Sequence, residues 1–218
     1  MTAYPNLLVT DFDGTITRHD FYELALDRVV RTAVSPDYWA LYSAGKITHF
    51  EAMRGIFSWI RCGEEAIREI IRGMDADPNL KPGVERLRAS GWDVIVVSAG
   101  SSWYIRQVLD AAGVSLEVHA SPGHFTPSQG LLLEPPVDSP YYCPRMGIDK
   151  EAVVLQALRR YRRVAFAGNG PPDVEPALKV DPALRFARTF LAGELARRGE
   201  VFHRFDRWSE IADRLLHI

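Results

Sequence analysis

Leu7-Leu8-Val9-Thr10-Asp11-Phe12-Asp13-Gly14-Thr15-Ile16-Thr17 is the stretch from which the rest of the chain can be read. Leu7–Thr10 is a short apolar run without polar alternation, the pattern of a strand covered on both faces. It stops at two carboxylates and a glycine, so the strand hands over to a loop at its carboxyl end. In an open parallel sheet that end borders the ligand crevice. Asp11 and Asp13, two residues apart, can share one direction. Carboxylates held that close repel unless a proton or a cation intervenes. A hard cation such as Mg²⁺, which takes oxygen ligands, answers that need. The same letters also suit a plain turn in which Asp and Gly serve backbone geometry.

Outward from this stretch the periodicity changes. From Phe21 to Gly73 the apolar residues fall at helical spacing, in one stripe of Tyr22, Leu24, Leu26, Val29 and Val30 and another of Phe50, Met53, Ile56, Phe57 and Ile60. Strand-helix alternation resumes after Pro82. The expected elements are a helix over 84–90, a strand over 93–98, a helix over 102–112 capped by Gly113, and a short strand near 116–119. Residues 121–147 are rich in Pro and Gly and read as a small hairpin or irregular excursion. A helix over 149–160, a strand over 164–167, a glycine-rich loop, a short helix, a strand over 184–187 and two terminal helices follow. Alternating apolar strands and helices predict an α/β fold, a Rossmann-like parallel sheet with helices on both faces. The helical block interrupts it after the first strand as a small all-helical cap. The expected division is 1–17 and 82–218 for the core and 18–81 for the cap.

Composition narrows the function. The 218 residues suit one domain with an insertion, and 47% hydrophobic with 25% charged residues is ordinary for a globular chain. A net charge of −2 gives no general attraction to nucleic acid or anionic lipid. The basic run Arg159-Arg160-Tyr161-Arg162-Arg163 falls at a helix end, where cations complement the dipole. Two cysteines, Cys62 and Cys143, are too few for a disulfide framework. Met1-Thr2-Ala3-Tyr4-Pro5 lacks the pattern of a secretory signal, and no apolar stretch is long enough to span a bilayer. The expectation is a cytoplasmic protein with neither a nucleic-acid nor a membrane partner; its oligomeric state is not legible.

Three further segments end strands or open helices with chemistry. Ser98-Ala99-Gly100 offers a hydroxyl and backbone N–H groups at a helix start, suited to an anion. Gly147-Ile148-Asp149-Lys150 brings a lysine, and Gly168-Asn169-Gly170-Pro171-Pro172-Asp173 brings polar groups at 169 and 173. Singly, each also reads as a cap, a turn or a solvated charge. In this order they resemble the four motifs of the haloacid dehalogenase-like phosphohydrolases, with the cap resembling that of the phosphoserine phosphatase branch. The resemblance implies a Mg²⁺-dependent phosphomonoesterase of a small phosphorylated metabolite, acting through an aspartyl-phosphate. Asp11 would be the nucleophile and Asp13 the acid and base. Gly14, Thr15, Ser98, Ala99, Gly100 and Lys150 would hold the phosphoryl group. Asp11, Asp13, Asn169 and Asp173 would hold the metal. The family usually has an aspartate where this chain has Asn169, an amide that brings no charge. The resemblance therefore also leaves open an impaired, phosphate-binding or regulatory protein.

The cap carries the substrate expectations. Asp20 and Arg54 stand where the phosphoserine phosphatase branch has an acidic residue and an arginine facing the substrate. Asp20 equally suits a helix N-cap, and Arg54 an exposed helix face. Phe186–Leu191 and Asp173–Ala177 resemble stretches of the methionine-salvage phosphatases that act on 2-hydroxy-3-keto-5-methylthiopentenyl-1-phosphate. Tyr38, Trp39, Phe57 and Trp59 could line a pocket for an apolar tail, or simply fill the core. No histidine or cysteine shows zinc spacing, Ser98 lacks a nucleophile-elbow context, and the glycines at 168–170 form no dinucleotide or Walker loop.

Overall fold

The computed structural model describes residues 4–30 and 34–218. Met1–Ala3 of the opening stretch and residues 31–33 of the cap segment lie outside them. In chain order, β1 (Asn6–Thr10) is followed by helices α1 (Phe21–Arg28), α2 (Tyr38–Ser43), α3 (His49–Phe57), α4 (Glu64–Gly73) and α5 (Leu80–Ala89). Then come β2 (Trp92–Ser101), α6 (Ser102–Ala111), β3 (Glu117–Ser121), and the short strands β4 (Gly123–Thr126), β5 (Gly130–Leu133), β6 (Tyr142–Cys143) and β7 (Gly147–Ile148). The chain closes with α7 (Lys150–Leu158), β8 (Arg163–Gly168), α8 (Val174–Lys179), β9 (Arg185–Ala187), α9 (Thr189–Arg197), β10 (His203–Arg204) and α10 (Trp208–Leu215).

Six strands form one parallel sheet in the order β10-β9-β8-β1-β2-β3. The pleat explains the continuous apolar runs. Leu8 of β1, Val94 and Val96 of β2, and Ala165 and Ala167 of β8 enter one apolar cluster. Leu7 and Val9, Ile95 and Val97, and Val164 and Phe166 enter the other, on the opposite face. With a core on each side, neither face can carry polar residues. β1 is central, so its carboxyl end and that of β8 deliver their loops side by side.

The cap helices share the first of these clusters. Phe50, Met53, Ile56, Phe57 and Ile60 are buried with Leu8 and Phe12, as their spacing predicts. The earlier stripe is different. Asp20 caps α1 so that the helix begins at Phe21, and the inward face is Phe21 and Ala25. Tyr22, Leu24, Leu26, Val29 and Val30 are only partly buried against it. α5 starts earlier than its pattern suggests and packs on β2 and α10, where Gly83 lets Trp208 approach to 3.0 Å of where a Cβ would stand.

The excursion over 121–147 is two small antiparallel hairpins, β4–β5 and β6–β7. Both prop the cap. Gly130 has φ +76, and a Cβ there would lie 2.6 Å from the Ser58 carbonyl oxygen, so the first hairpin sits directly under the end of α3. Phe50 N–H donates to the Arg145 carbonyl at 3.0 Å, which ties the start of α3 to the second hairpin. β2 runs to Ser101 rather than Ser98, with a register shift against β3 between Val97 and Ser101. Such an irregularity re-aims side chains, here those of the segment that includes Ser98. β10, two residues long, is too short for a pattern to reveal. Among the described residues no helix is long and apolar enough to cross a membrane.

Leu8 is fully buried in the central strand. Leu8→Ala should destabilise the fold by about 2–5 kcal/mol. Urea unfolding should show a lower midpoint at an unchanged slope.

Candidate active site

Asp11 continues β1 by donating its N–H to the Ala167 carbonyl at 2.8 Å, so its side chain stands beside the end of β8. Lys150 is the first residue of α7, fixed by the Asp149 carboxylate that accepts from Ala152 N–H. Its Nζ donates to Asp11 Oδ1 at 2.6 Å and to Asp173 Oδ1 at 2.7 Å, and all three side chains are buried. The other Asp173 oxygen accepts from the N–H groups of Asn169 and Gly170 at 2.9 and 2.8 Å. Asp173 therefore folds the 169–173 loop, and although it stands at the N-cap of α8 its side chain makes no capping bond there. Burial alone would lower the Lys150 pKa, but the two carboxylates outweigh it and hold the ammonium charged. Burial, then the Asp173 charge, pushes Asp11 up to about 7 against the pull of Lys150.

Asp13 has a different setting. Its Oδ1 accepts from Phe21 N–H at 3.0 Å and its Oδ2 from the Tyr104 hydroxyl at 2.8 Å. Burial, then the nearby Asp20 charge, pushes its pKa well above the carboxylate range. One carboxyl beside a lysine and another prone to hold a proton are the two partners that nucleophilic and acid-base chemistry require. Tyr104 was not among the residues singled out from the sequence. It lies within an apolar helix pattern, and the one available signal is that a buried tyrosine hydroxyl needs a partner. Its ring stacks on Phe21 at 4.2 Å. Gly100 makes room for it, since a Cβ there would lie 1.8 Å from the hydroxyl.

Ser98 Oγ accepts from Gly100 N–H at 3.0 Å, which leaves the hydroxyl hydrogen to donate into the cavity it lines. The Thr15 hydroxyl lies 3.3 Å from both Asp11 Oδ2 and Asn169 Oδ1. Gly14, at φ +67, admits the Asn169 amide, whose nitrogen would be 2.2 Å from a Cβ at 14. Asp11 and Asn169 thus turn oxygens toward the Thr15 hydroxyl, and oxygen donors of this kind suit Mg²⁺. The set carries less charge than one with a third free carboxylate. Among the described residues no group of three or more His, Cys, Asp or Glu side chains converges on a metal position. Asp173, with both oxygens engaged, would have to release a bond to join the ion.

Asp11, Asp13, Asp20, Ser98, Ala99, Gly100, Lys150, Asn169 and Asp173 all line one cavity of about 170 Å³; Gly14 and Thr15 support its floor. Asp20 fills both roles expected of it. It borders the cavity, and its Oδ1 caps α1 by accepting from Tyr22 N–H at 2.7 Å. Arg54 is not brought in: it points outward from α3, with the inward positions taken by Met53 and Phe57. Trp39 and Phe57 line the cavity, whereas Tyr38 packs over Gly55 and Trp59 is half-buried elsewhere. His49 lines it too and was missed. Burial, then the charges of Lys150 and Arg145, pushes its pKa down to about 4, so the ring is neutral.

Burial pushes Asp20 up to about 6. A carboxyl that binds its proton more tightly when folded stabilises the protein below its unfolded pKa, and that stability is lost as pH rises through 6. Asp20→Asn keeps the capping oxygen and removes the titration. It should melt higher than the parent above pH ~7 and match it near pH ~4 in metal-free thermal melts.

Residues 8–177 match the sequence profile of the haloacid dehalogenase-like hydrolases. Comparison with curated protein sequences gives no match. Among solved structures, a substrate-bound phosphoserine phosphatase complex superposes with a TM-score of 0.64 at 14% identity, over 95% of this chain and 96% of that one. A phosphoserine phosphatase from T. onnurineus, in complex with NDSB-201, gives 0.63 at 17% identity, over 100% and 98%. A protein of unknown function from Bordetella pertussis Tohama I gives 0.59 at 18% identity, over 92% and 99%. At such identities the structures speak for the fold, an α/β core with its parallel sheet. The sequence match spans most of the chain, and the protein belongs to the haloacid dehalogenase-like hydrolase family.

Proposed function

We propose that the protein is a Mg²⁺-dependent phosphomonoesterase that hydrolyses a small phosphorylated metabolite through an aspartyl-phosphate on Asp11. The observation that carries this reading is Lys150 Nζ, 2.6 Å from Asp11 Oδ1 on the floor of a cavity that Asp13 also lines. The phosphoryl oxygens are taken up by the Ser98 hydroxyl, the Ala99 N–H and Lys150, which offsets their charge in the transition state; the Gly100 N–H, which donates to Ser98 Oγ, joins them only by turning from that bond. Thr15 and the Gly14 backbone orient the loop beneath. An Asp11 oxygen attacks phosphorus; the new O–P bond forms as the ester P–O bond breaks, and the Asp13 proton passes to the leaving oxygen. Asp13 then takes a proton from the water that attacks the same phosphorus, the Asp11–phosphorus bond breaks, and inorganic phosphate leaves. When bound, Mg²⁺ would be held by Asp11, Asp13 and Asn169, with Asp173 joining only by releasing one of its bonds, and would supply charge neutralisation for the transferred group.

Within this reading the substrate classes differ in support. A phosphoserine-type substrate has Asp20 at the cavity but not Arg54. A methionine-salvage ester draws on the local likeness of Phe186–Leu191 and Asp173–Ala177, and its tail would meet Trp39 and Phe57. Two free cysteines, Cys62 and Cys143, suit a reducing, cytoplasmic setting. A phosphate-binding or regulatory protein is the second reading, favoured by the missing charge at Asn169.

The deciding measurement is phosphate release from 4-nitrophenyl phosphate with and without Mg²⁺. Release by the parent should require the metal and vanish in Asp11→Asn. Metal-independent release, or release surviving in that variant, would remove the mechanism. Retained phosphate binding with no turnover of any ester would favour the binding reading. Asn169→Asp should lower the Mg²⁺ concentration needed by roughly tenfold, read by titration calorimetry, because it adds a charged ligand.

A further inference from the structure

The catalytic cavity is too small for a whole substrate. A dry cavity of about 150 Å³ holds one benzene ring. At about 170 Å³, this one accommodates a phosphoryl group and little of the alcohol attached to it. It continues into a groove of about 670 Å³ that shares Trp39, His49, Ala99 and Lys150 with it. A second opening of about 350 Å³ meets the cavity at Asp20, Asn169 and Gly170 and is lined by the charged Arg18, Glu23 and Arg188; the groove is the larger and more apolar of the two, and the alcohol part of an uncharged ester extends along it.

The walls of the groove are chemically unlike each other. The cap side is a tile of rings. Trp39 packs on Tyr42 at 5.8 Å and on His49 at 5.7 Å, and Tyr42 meets His49 at 5.5 Å. The Trp39 indole is also locked from behind, its Nε1–H donating to the Tyr22 hydroxyl. The core side is built by Pro171, Pro172 and Pro176 with Met146 and Ile148. Rings on one side and proline rings on the other suit a flat, apolar guest. The charged residues along the groove are mostly committed: Lys150 is shared between Asp11 and Asp173, the Asp149 carboxylate caps α7, and Glu151 and Glu175 pair with Lys179 and Arg198, which leaves Arg145 as an exposed cation at one end of an otherwise apolar lining.

His49 brings a polar atom to this wall. Its Nδ1 is sealed from the groove and has no hydrogen-bond partner among the described residues, so the ring nitrogen left to meet a guest is Nε2. An imidazole nitrogen pairs readily with a hydroxyl, which can donate or accept.

We infer that the alcohol part of the substrate is a flat aromatic ring, seated between Trp39 and the proline wall, with a hydroxyl that pairs with His49. This rests on the phosphomonoesterase reading and names its substrate class. The ring supplies the face that Trp39 and Tyr42 accept, and the ester oxygen remains at Asp13.

The test compares esters whose leaving groups are all primary alkoxides, so that leaving-group ability does not decide the result. kcat/KM is measured for benzyl phosphate, 3-hydroxybenzyl phosphate, butyl phosphate and phosphoserine. The expected order puts benzyl phosphate about tenfold above butyl phosphate and phosphoserine. 3-Hydroxybenzyl phosphate should be a further severalfold better. Trp39→Ala should collapse the benzyl-to-butyl ratio; Tyr42→Ala, at a half-buried position, provides the same readout if the first variant does not fold. His49→Phe should erase the hydroxyl preference while keeping the preference for a ring. Butyl phosphate equal to or better than benzyl phosphate would overturn the inference in favour of an aliphatic tail, and phosphoserine as the best ester would overturn it in favour of an amino-acid substrate. Both leave the phosphatase reading standing. No metal-dependent release from any of the four would remove the phosphatase reading itself, and the inference with it.

Discussion

The site depends on one buried ammonium. Lys150 lies between Asp11 and Asp173 with every charge in the group shielded from water. Isolated, any of the three would be expensive to bury; together they leave one net negative charge at the floor of the cavity. The lysine also holds three pieces of chain in register: the end of β1, the start of α7 and the loop after β8. Such an arrangement is weak as a source of stability and strong as a positioning device, because removing one partner strands the others. The excess negative charge is also what makes the floor receptive to a cation or to a protonated carboxyl.

Around that centre, small residues do the spacing. Gly100 leaves room for the Tyr104 hydroxyl to reach Asp13, and Gly14 leaves room for the Asn169 amide to reach Thr15. Two glycines thus decide which polar atoms sit beside the two carboxyls. The pairing of Asp13 with a tyrosine and a backbone N–H differs sharply from that of Asp11 with a lysine. Two chemically identical side chains two residues apart are thereby given different surroundings and different affinities for a proton.

Much of this was legible in the sequence, for identifiable reasons. The apolar run 7–10, the break at Asp11 and the later strand ends are local signals, and they locate most cavity residues. The groove residues His49 and Tyr42 and Asp13's hydrogen-bond partner Tyr104 were not legible. Each sits in a helical segment with no polar signal of its own, Tyr104 and His49 beside core residues and Tyr42 on α2, which buries none, and its surroundings come from what another segment places opposite it. Arg54 fails in the converse way. Spacing puts it on the cap's second apolar stripe, but Met53 and Phe57 take the inward face of α3 and leave it in solvent. The stripe at 22–30 slipped because the N-cap at Asp20 sets the helix phase, so Phe21 and Ala25 face inward.

The cap helices have no interior of their own. Phe50, Ile56 and Phe57 belong to the same apolar cluster as Leu8, Phe12 and Val96 of the sheet side, and two hairpins prop them from below. Swinging the cap away as a rigid lid would expose that shared surface to water, at a cost that scales with its area. Cap and sheet are therefore bound into a single cooperative unit. The buried carboxyls are met by two openings, the ring-lined groove and the one beside Asp20, and any wider parting of cap from sheet has to break the apolar surface that the two share.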